Sequence, residues 1–101
     1  MLKITLADNE TGTTVTLDGR MDTAAAPEFE QALAPVWVME EPRILLDCQK
    51  LEYISSSGLR IFLKLKKFVD SKAGHVALSA LQPTVKEVFE MTGFAKMFQI
   101  K

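Results

Sequence analysis

Six consecutive residues, Ser55-Ser56-Ser57-Gly58-Leu59-Arg60, hold the most suggestive chemistry of this 101-residue chain. Three hydroxyls adjoin a glycine at the predicted start of an amphipathic helix that runs to about Lys72. Serine is a favoured helix N-cap, because its oxygen accepts from the free N–H groups of the first turn. The same end of a helix carries partial positive charge and accommodates an anion. A phosphate added there is compatible with the fold and changes the surface charge by roughly −1.5 to −2. The segment is therefore a candidate charge switch.

The same residues make a poor reaction centre. A nucleophilic serine needs an activating base within reach. Gly-x-Ser-x-Gly is absent, since Ser55 and Leu59 stand at the glycine positions around Ser57. The single histidine, His75, begins a predicted strand. Counted from Ser57, a Ser-x-x-Lys pattern would end on Arg60, and arginine stays protonated and cannot act as a base. No P-loop occurs. The chain is expected not to be an enzyme and to need no cofactor.

Composition narrows the partners. Hydrophobic residues make up 48% and charged residues 25%, a balance that supports one modest core and argues against disorder. A net charge of −1 gives no basic surplus for nucleic acid. Lys64, Lys66, Lys67 and Lys72 form a local stripe, but apolar residues interleave with them as on the solvated face of a helix. A lone cysteine, Cys48, excludes an internal disulfide and a multi-cysteine zinc cage, and no metal is expected. The start, Met1-Leu2-Lys3-Ile4-Thr5, has no secretory pattern, and no apolar run approaches the ~18 residues of a membrane span. A reduced cytoplasmic setting without membrane insertion is the expectation.

The elements that position the serines follow from periodicity. Leu2, Ile4 and Leu6 alternate with polar residues, as do Val15 and Leu17, with turn chemistry at Asp8-Asn9-Glu10-Thr11-Gly12, so a β-hairpin is predicted. Thr23 is placed to cap a helix over Ala24 to Met39, with Phe29, Leu33, Val36 and Trp37 on one face and Pro35 bending or separating its last turn. A strand at Arg43 to Asp47 reads as covered on both faces and ends in a loop that carries Cys48. The second helix spans about Ser57 to Lys72, with Ile61, Phe62, Leu65, Phe68 and Val69 inward. A strand from His75 to Ser79 and a helix from Pro83 to Met91 follow, and Phe94, Met97, Phe98 and Ile100 cover an edge of the core. The order β-β-α-β-α-β-α defines an α/β fold: residues 1–101 form a single small domain. Its sheet is mixed and mostly parallel, with four to five strands, an N-terminal hairpin and three helices.

On these residues the chain resembles the STAS domain, and within it the stand-alone anti-sigma-factor antagonists of bacteria. Leu17-Asp18-Gly19-Arg20-Met21-Asp22 looks like the family's strand-end G-R-hydrophobic-D. Ile44-Leu45-Leu46-Asp47, followed by Ile54-Ser55-Ser56-Ser57-Gly58-Leu59, looks like its D-S-S-G-L phosphorylation loop. Val85-Lys86-Glu87-Val88-Phe89 with Thr92-Gly93-Phe94 is similar to its closing helix. The resemblance implies a binding switch. Such a protein docks on an anti-sigma factor that is also a serine kinase, and docking frees sigma. Phosphorylation of the serine before the glycine, here Ser57, breaks the docking, and a metal-dependent serine phosphatase restores it. Asp22, Ser55, Ser56, Gly58 and Arg60 would accompany Ser57 at the partner contact. One departure stands out: the best-known members carry aspartate where this chain has Ser55, so three hydroxyls share the loop.

The resemblance also implies an alternative, an accessory subunit of a membrane ABC transport complex, in which Ser57 is an interface residue and no kinase is involved. Composition does not separate the two. Arg20 is read as pairing with a nearby acid, and the protein as a monomer.

Overall fold

The computed structural model describes residues 2–101. Strand β1 (Leu2–Asn9) pairs antiparallel with β2 (Gly12–Met21), closing the predicted hairpin at Asn9 and Gly12. Helix α1 (Ala25–Ala32), a 3₁₀ turn (Val36–Val38) and strand β3 (Arg43–Ile54) come next. They are followed by α2 (Ser56–Ser71), β4 (His75–Ser79), α3 (Pro83–Thr92), a second 3₁₀ turn (Phe94–Lys96) and β5 (Gln99–Ile100). The sheet order is β1-β2-β3-β4-β5, and every pair after the first is parallel.

Alternation along β2 shows where the core lies. Val15, Leu17 and Met21 are fully buried, whereas Thr14, Thr16 and Asp18 are half-buried and Arg20 is exposed. One face of the sheet is therefore packed and the other is solvated. Helix α1 lies over β1 and β2, α2 over β3 and β4, and α3 against β3. Their rings meet in one cluster: Phe62 of α2 packs against Phe29 of α1 at 5.4 Å and Phe89 of α3 at 5.6 Å between centroids. Phe98 joins both Phe62 and Phe89, and Phe94 and Ile100 pack partly against the same core, whereas Met97, expected beside them, is exposed.

Four expectations need correction. Helix α1 ends at Ala32 instead of Met39: Ala34-Pro35 cannot continue the α-helical ladder, and the residues beyond form a separate 3₁₀ turn. Its packing face is as expected, with Phe29, Leu33 and Val36 buried and Trp37 set edge-on against Phe68 at 5.2 Å. Thr23 does not cap it; the carboxylate of Asp22 accepts from Ala25 N–H instead, at 2.9 Å. Strand β3 is covered on one face only, since Leu45 and Asp47 are half-exposed between buried Ile44, Leu46 and Cys48.

The fourth correction bears on the site. No loop follows Asp47; β3 runs on to Ile54, so Cys48 lies inside the strand. Its register against β2 shifts twice, between Thr16 and Asp18 and between Gly19 and Arg20, and each time β3 carries one more residue than β2. Such bulges break the two-residue period and raise the local twist. The buried positions therefore step from Cys48 to Leu51 to Ile54, a spacing of three that no regular strand produces.

Candidate functional site

Strand β3 passes into α2 through one residue, Ser55. Ser55 is extended, and its hydroxyl oxygen accepts from Gly58 N–H at 3.1 Å. Its backbone N–H donates to Met21 C=O at 2.8 Å, and its carbonyl accepts from Leu59 N–H at 2.9 Å. All three of its polar functions are thus engaged, and the residue is only 7% exposed. The cap is Ser55, so α2 begins at Ser56, one residue before the expected Ser57.

The bond from Ser55 to Met21 joins the ends of β3 and β2, where Ile54 and Met21 are register partners. Asp22, the next residue of β2's chain, is thereby placed beside the start of α2. Its side-chain oxygen and its carbonyl both accept from Ala25 N–H, at 2.9 and 3.1 Å, which fixes the carboxylate. Gly58 permits the close approach of helix to strand. A Cβ there would lie 2.4 Å from Met21 Cγ, closer than real contacts come, and 3.1 Å from Ile54 Cγ1, tighter than most.

With Ser55 committed to the cap, two hydroxyls remain outward: Ser56 is exposed and Ser57 half-buried. Arg60 is exposed, and it follows Ser56 by four residues and Ser57 by three, which sets all three on one helix face. The first turn of α2 contains no acidic residue. The structure therefore brings together Asp22, Ser55, Ser56, Ser57, Gly58 and Arg60 at neighbouring strand ends. This end of α2 presents neutral hydroxyls, positive dipole and a cation.

Tyr53 escaped the sequence reading, and Arg20 finds a different partner from the one expected. Arg20 does not pair with an acid; its guanidinium carbon stands 4.5 Å from the ring centroid of Tyr53. These residues are register partners on β2 and β3, directly before Met21 and Ile54. Tyr53 could have been found only by extending β3 past its bulges. Cys48 is inert by placement: burial first, and then the charge of Asp47, pushes its thiol up to about 12. Among the described residues no group of three or more His, Cys, Asp and Glu is arranged to hold a metal, and no helix is long and apolar enough to cross a membrane.

Comparison with known proteins matches the STAS domain family to residues 3–101. BtrV of Bordetella bronchiseptica, a protein that bears the name of an anti-sigma factor antagonist, is 39% identical over 84 residues, covering 83% of this chain and 72% of its own. Among solved structures, an anti-sigma factor antagonist from Mycobacterium paratuberculosis superposes with a TM-score of 0.88 at 24% identity, over 99% of this chain and 85% of that one. The phosphorylated form of SpoIIAA, a Bacillus cell fate determinant, superposes with a TM-score of 0.74 at 18% identity, over 100% of this chain and 91% of that one. At such identities the two structures speak to the fold, which they share with this chain.

Proposed function

The chain belongs to the STAS domain family, and we propose that it acts as an anti-sigma-factor antagonist whose docking is vetoed by a phosphate on Ser57. The protein binds an anti-sigma factor that is also a serine kinase, which frees sigma; the kinase phosphorylates Ser57, and a serine phosphatase resets the switch. It works as a monomeric binding protein in the cytoplasm, where sigma acts, and catalyses nothing itself.

The observation that carries this reading is the division of labour among the three serines. Ser55 is consumed by the cap, while Ser57 is half-exposed in the first turn of α2 directly before Gly58. A phosphate on Ser57 meets the positive end of a 16-residue helix and shares a face with Arg60. The fold should therefore survive modification. The partner bears the cost: a surface fitted to a neutral hydroxyl must desolvate a dianion or oppose it with its own charge, at several kcal/mol. Since about 1.4 kcal/mol changes affinity tenfold, the switch needs no change of fold.

Incubation with a candidate anti-sigma kinase and ATP, followed by intact-mass measurement, tests this directly. One added phosphate is expected on the wild type and on Ser55→Ala and Ser56→Ala, and none on Ser57→Ala. Phosphate that persists on Ser57→Ala, or modified protein that binds the anti-sigma factor as tightly as before, overturns the assignment.

A further inference from the structure

Arg20 and Tyr53 are the last outward-facing pair of β2 and β3 before the site. Arg20 continues the solvated row Thr14, Thr16, Asp18 of β2, and Tyr53 stands opposite it across the parallel ladder. The guanidinium lies over the ring, 4.5 Å from its centroid. Tyr53 remains 40% exposed, one of few large apolar side chains on this surface that is not drawn into the core. Stacking holds a flexible arginine in one place, yet an arginine stacked on a ring keeps N–H groups along its edge for a planar anion.

No carboxylate of the described residues takes those donors. The ion pairs are Lys64 with Glu30 and Lys66 with Asp70, and neither involves Arg20. Asp18 and Asp22 flank it two residues away along the chain, but Asp22 already accepts from Ala25 N–H. Tyrosine and arginine are the side chains that most often anchor protein interfaces, and an anchor fixed before docking loses less freedom on binding.

We propose that the Arg20–Tyr53 pair is a preformed receptor for a carboxylate on the docking face of the anti-sigma factor. The partner's acidic side chain sits in the guanidinium fork while an adjoining apolar group covers the exposed ring of Tyr53. This rests on the antagonist function proposed above. Complementary charge at the contact also speeds encounter and makes it salt-sensitive.

The test is calorimetric titration of the purified anti-sigma factor that phosphorylates Ser57 into wild type, Arg20→Glu, Arg20→Lys, Arg20→Ala, Tyr53→Ala, Tyr53→Phe and Ser57→Glu. Arg20→Glu is expected to weaken binding at least about 100-fold, and Arg20→Lys and Tyr53→Ala about tenfold each, with Tyr53→Phe near wild type. The affinity of Arg20→Ala should depend on salt less steeply than that of wild type. Should Arg20→Glu perturb folding, Arg20→Lys and Tyr53→Phe, which preserve charge and ring, carry the comparison. If every Arg20 variant binds within threefold of wild type while Ser57→Glu binds weakly, the receptor is refuted and the switch stands. If wild type binds no anti-sigma factor, both fall together.

Discussion

Helices α1 and α2 begin side by side, at the ends of two adjacent parallel strands, and they begin differently. At α1 the first free N–H is met by the carboxylate of Asp22, and Glu28 adds a second negative charge within the first turn. At α2 the cap is the neutral hydroxyl of Ser55, and the first turn has no acid. One helix start is already compensated by fixed charge; the other is satisfied in its hydrogen bonds but not in its dipole. A removable charge has the larger electrostatic effect at the second, and there Ser56 and Ser57 face outward. The contrast also concerns length. Helix α1 is 8 residues long and stops short of Pro35, whereas α2 runs 16 residues and carries Phe62, whose ring meets Phe29, Phe89 and Phe98. The modifiable end thus belongs to the longer helix, anchored in the aromatic cluster through Phe62.

The largest expected effect separates the two starts by charge alone. Ser57→Glu should lower affinity for the anti-sigma factor at least about 100-fold, or roughly 2.8 kcal/mol. Ala24→Glu, which adds the same charge at the start of α1, should cost tenfold at most. Both variants should keep the wild-type far-ultraviolet circular dichroism. Equal losses in a binding titration would show that overall charge, and not its position on α2, governs docking.

Packing distinguishes the two starts next. In the first turn of α1 the residues against the core are Ala25 and Ala26, which already carry a Cβ. In α2 the corresponding contact is Gly58, where a Cβ would meet Met21 Cγ at 2.4 Å. Gly58→Ala is expected to destabilise the protein by about 1–3 kcal/mol in urea unfolding, because overpacking costs more than the helical preference of alanine returns. Met21→Ala should relieve the clash, so that the double variant is more stable than the sum of the single effects indicates. An unchanged midpoint for Gly58→Ala would mean that the strand end yields freely.

The caps rank below packing. Ser55→Ala should cost about 0.5–2 kcal/mol, towards the upper end, since it strips a buried acceptor from Gly58 N–H. Asp22→Asn keeps an acceptor for Ala25 N–H and should lose less than Ser55→Ala. Thermal unfolding of both variants at one pH resolves the order, and a reversed order would place the firmer anchor at α1.

These differences were unequally visible in the sequence. The serine cluster, the spacing of Phe62, Leu65 and Val69, and the glycines at 58 and 93 state local rules, and local rules survive into the fold: Gly93 takes φ 81° where α3 ends. Ser57 and Arg60 were legible for the same reason, because a helix fixes their spacing. Asp22 was legible through its motif, although the sequence pattern places the cap at Thr23 and the structure gives Ala25 N–H to Asp22. What stayed hidden depends on register. The bulges of β3 leave the pairs Gln49-Lys50 and Glu52-Tyr53 exposed between buried residues, a pattern that reads as a loop after Asp47 and leaves Tyr53 without a partner in the sequence. Only the pairing of Arg20 with Tyr53 across two strands reveals the stack, and no spacing along one strand encodes it.

The smallest expected effect tests whether the two helices are also joined by charge. Lys64 of α2 reaches Glu30 of α1, and its ammonium lies 5.2 Å from the centre of the Trp37 ring. The ion pair is solvated, with 54% of the lysine and 37% of the glutamate side chain exposed. Such pairs contribute about 0–1 kcal/mol and are screened by salt. Glu30→Gln should therefore cost only a few tenths of a kcal/mol, and the loss should disappear at about 1 M salt. Lys64→Ala should cost more than Glu30→Gln at any salt concentration, because it also removes the cation and the aliphatic stem from Trp37. A double-mutant cycle in urea isolates the pair. A coupling well above 1 kcal/mol would make charge a true clamp between α1 and α2. A coupling near zero leaves the Phe29–Phe62 contact as the bond that holds the two helix starts in register.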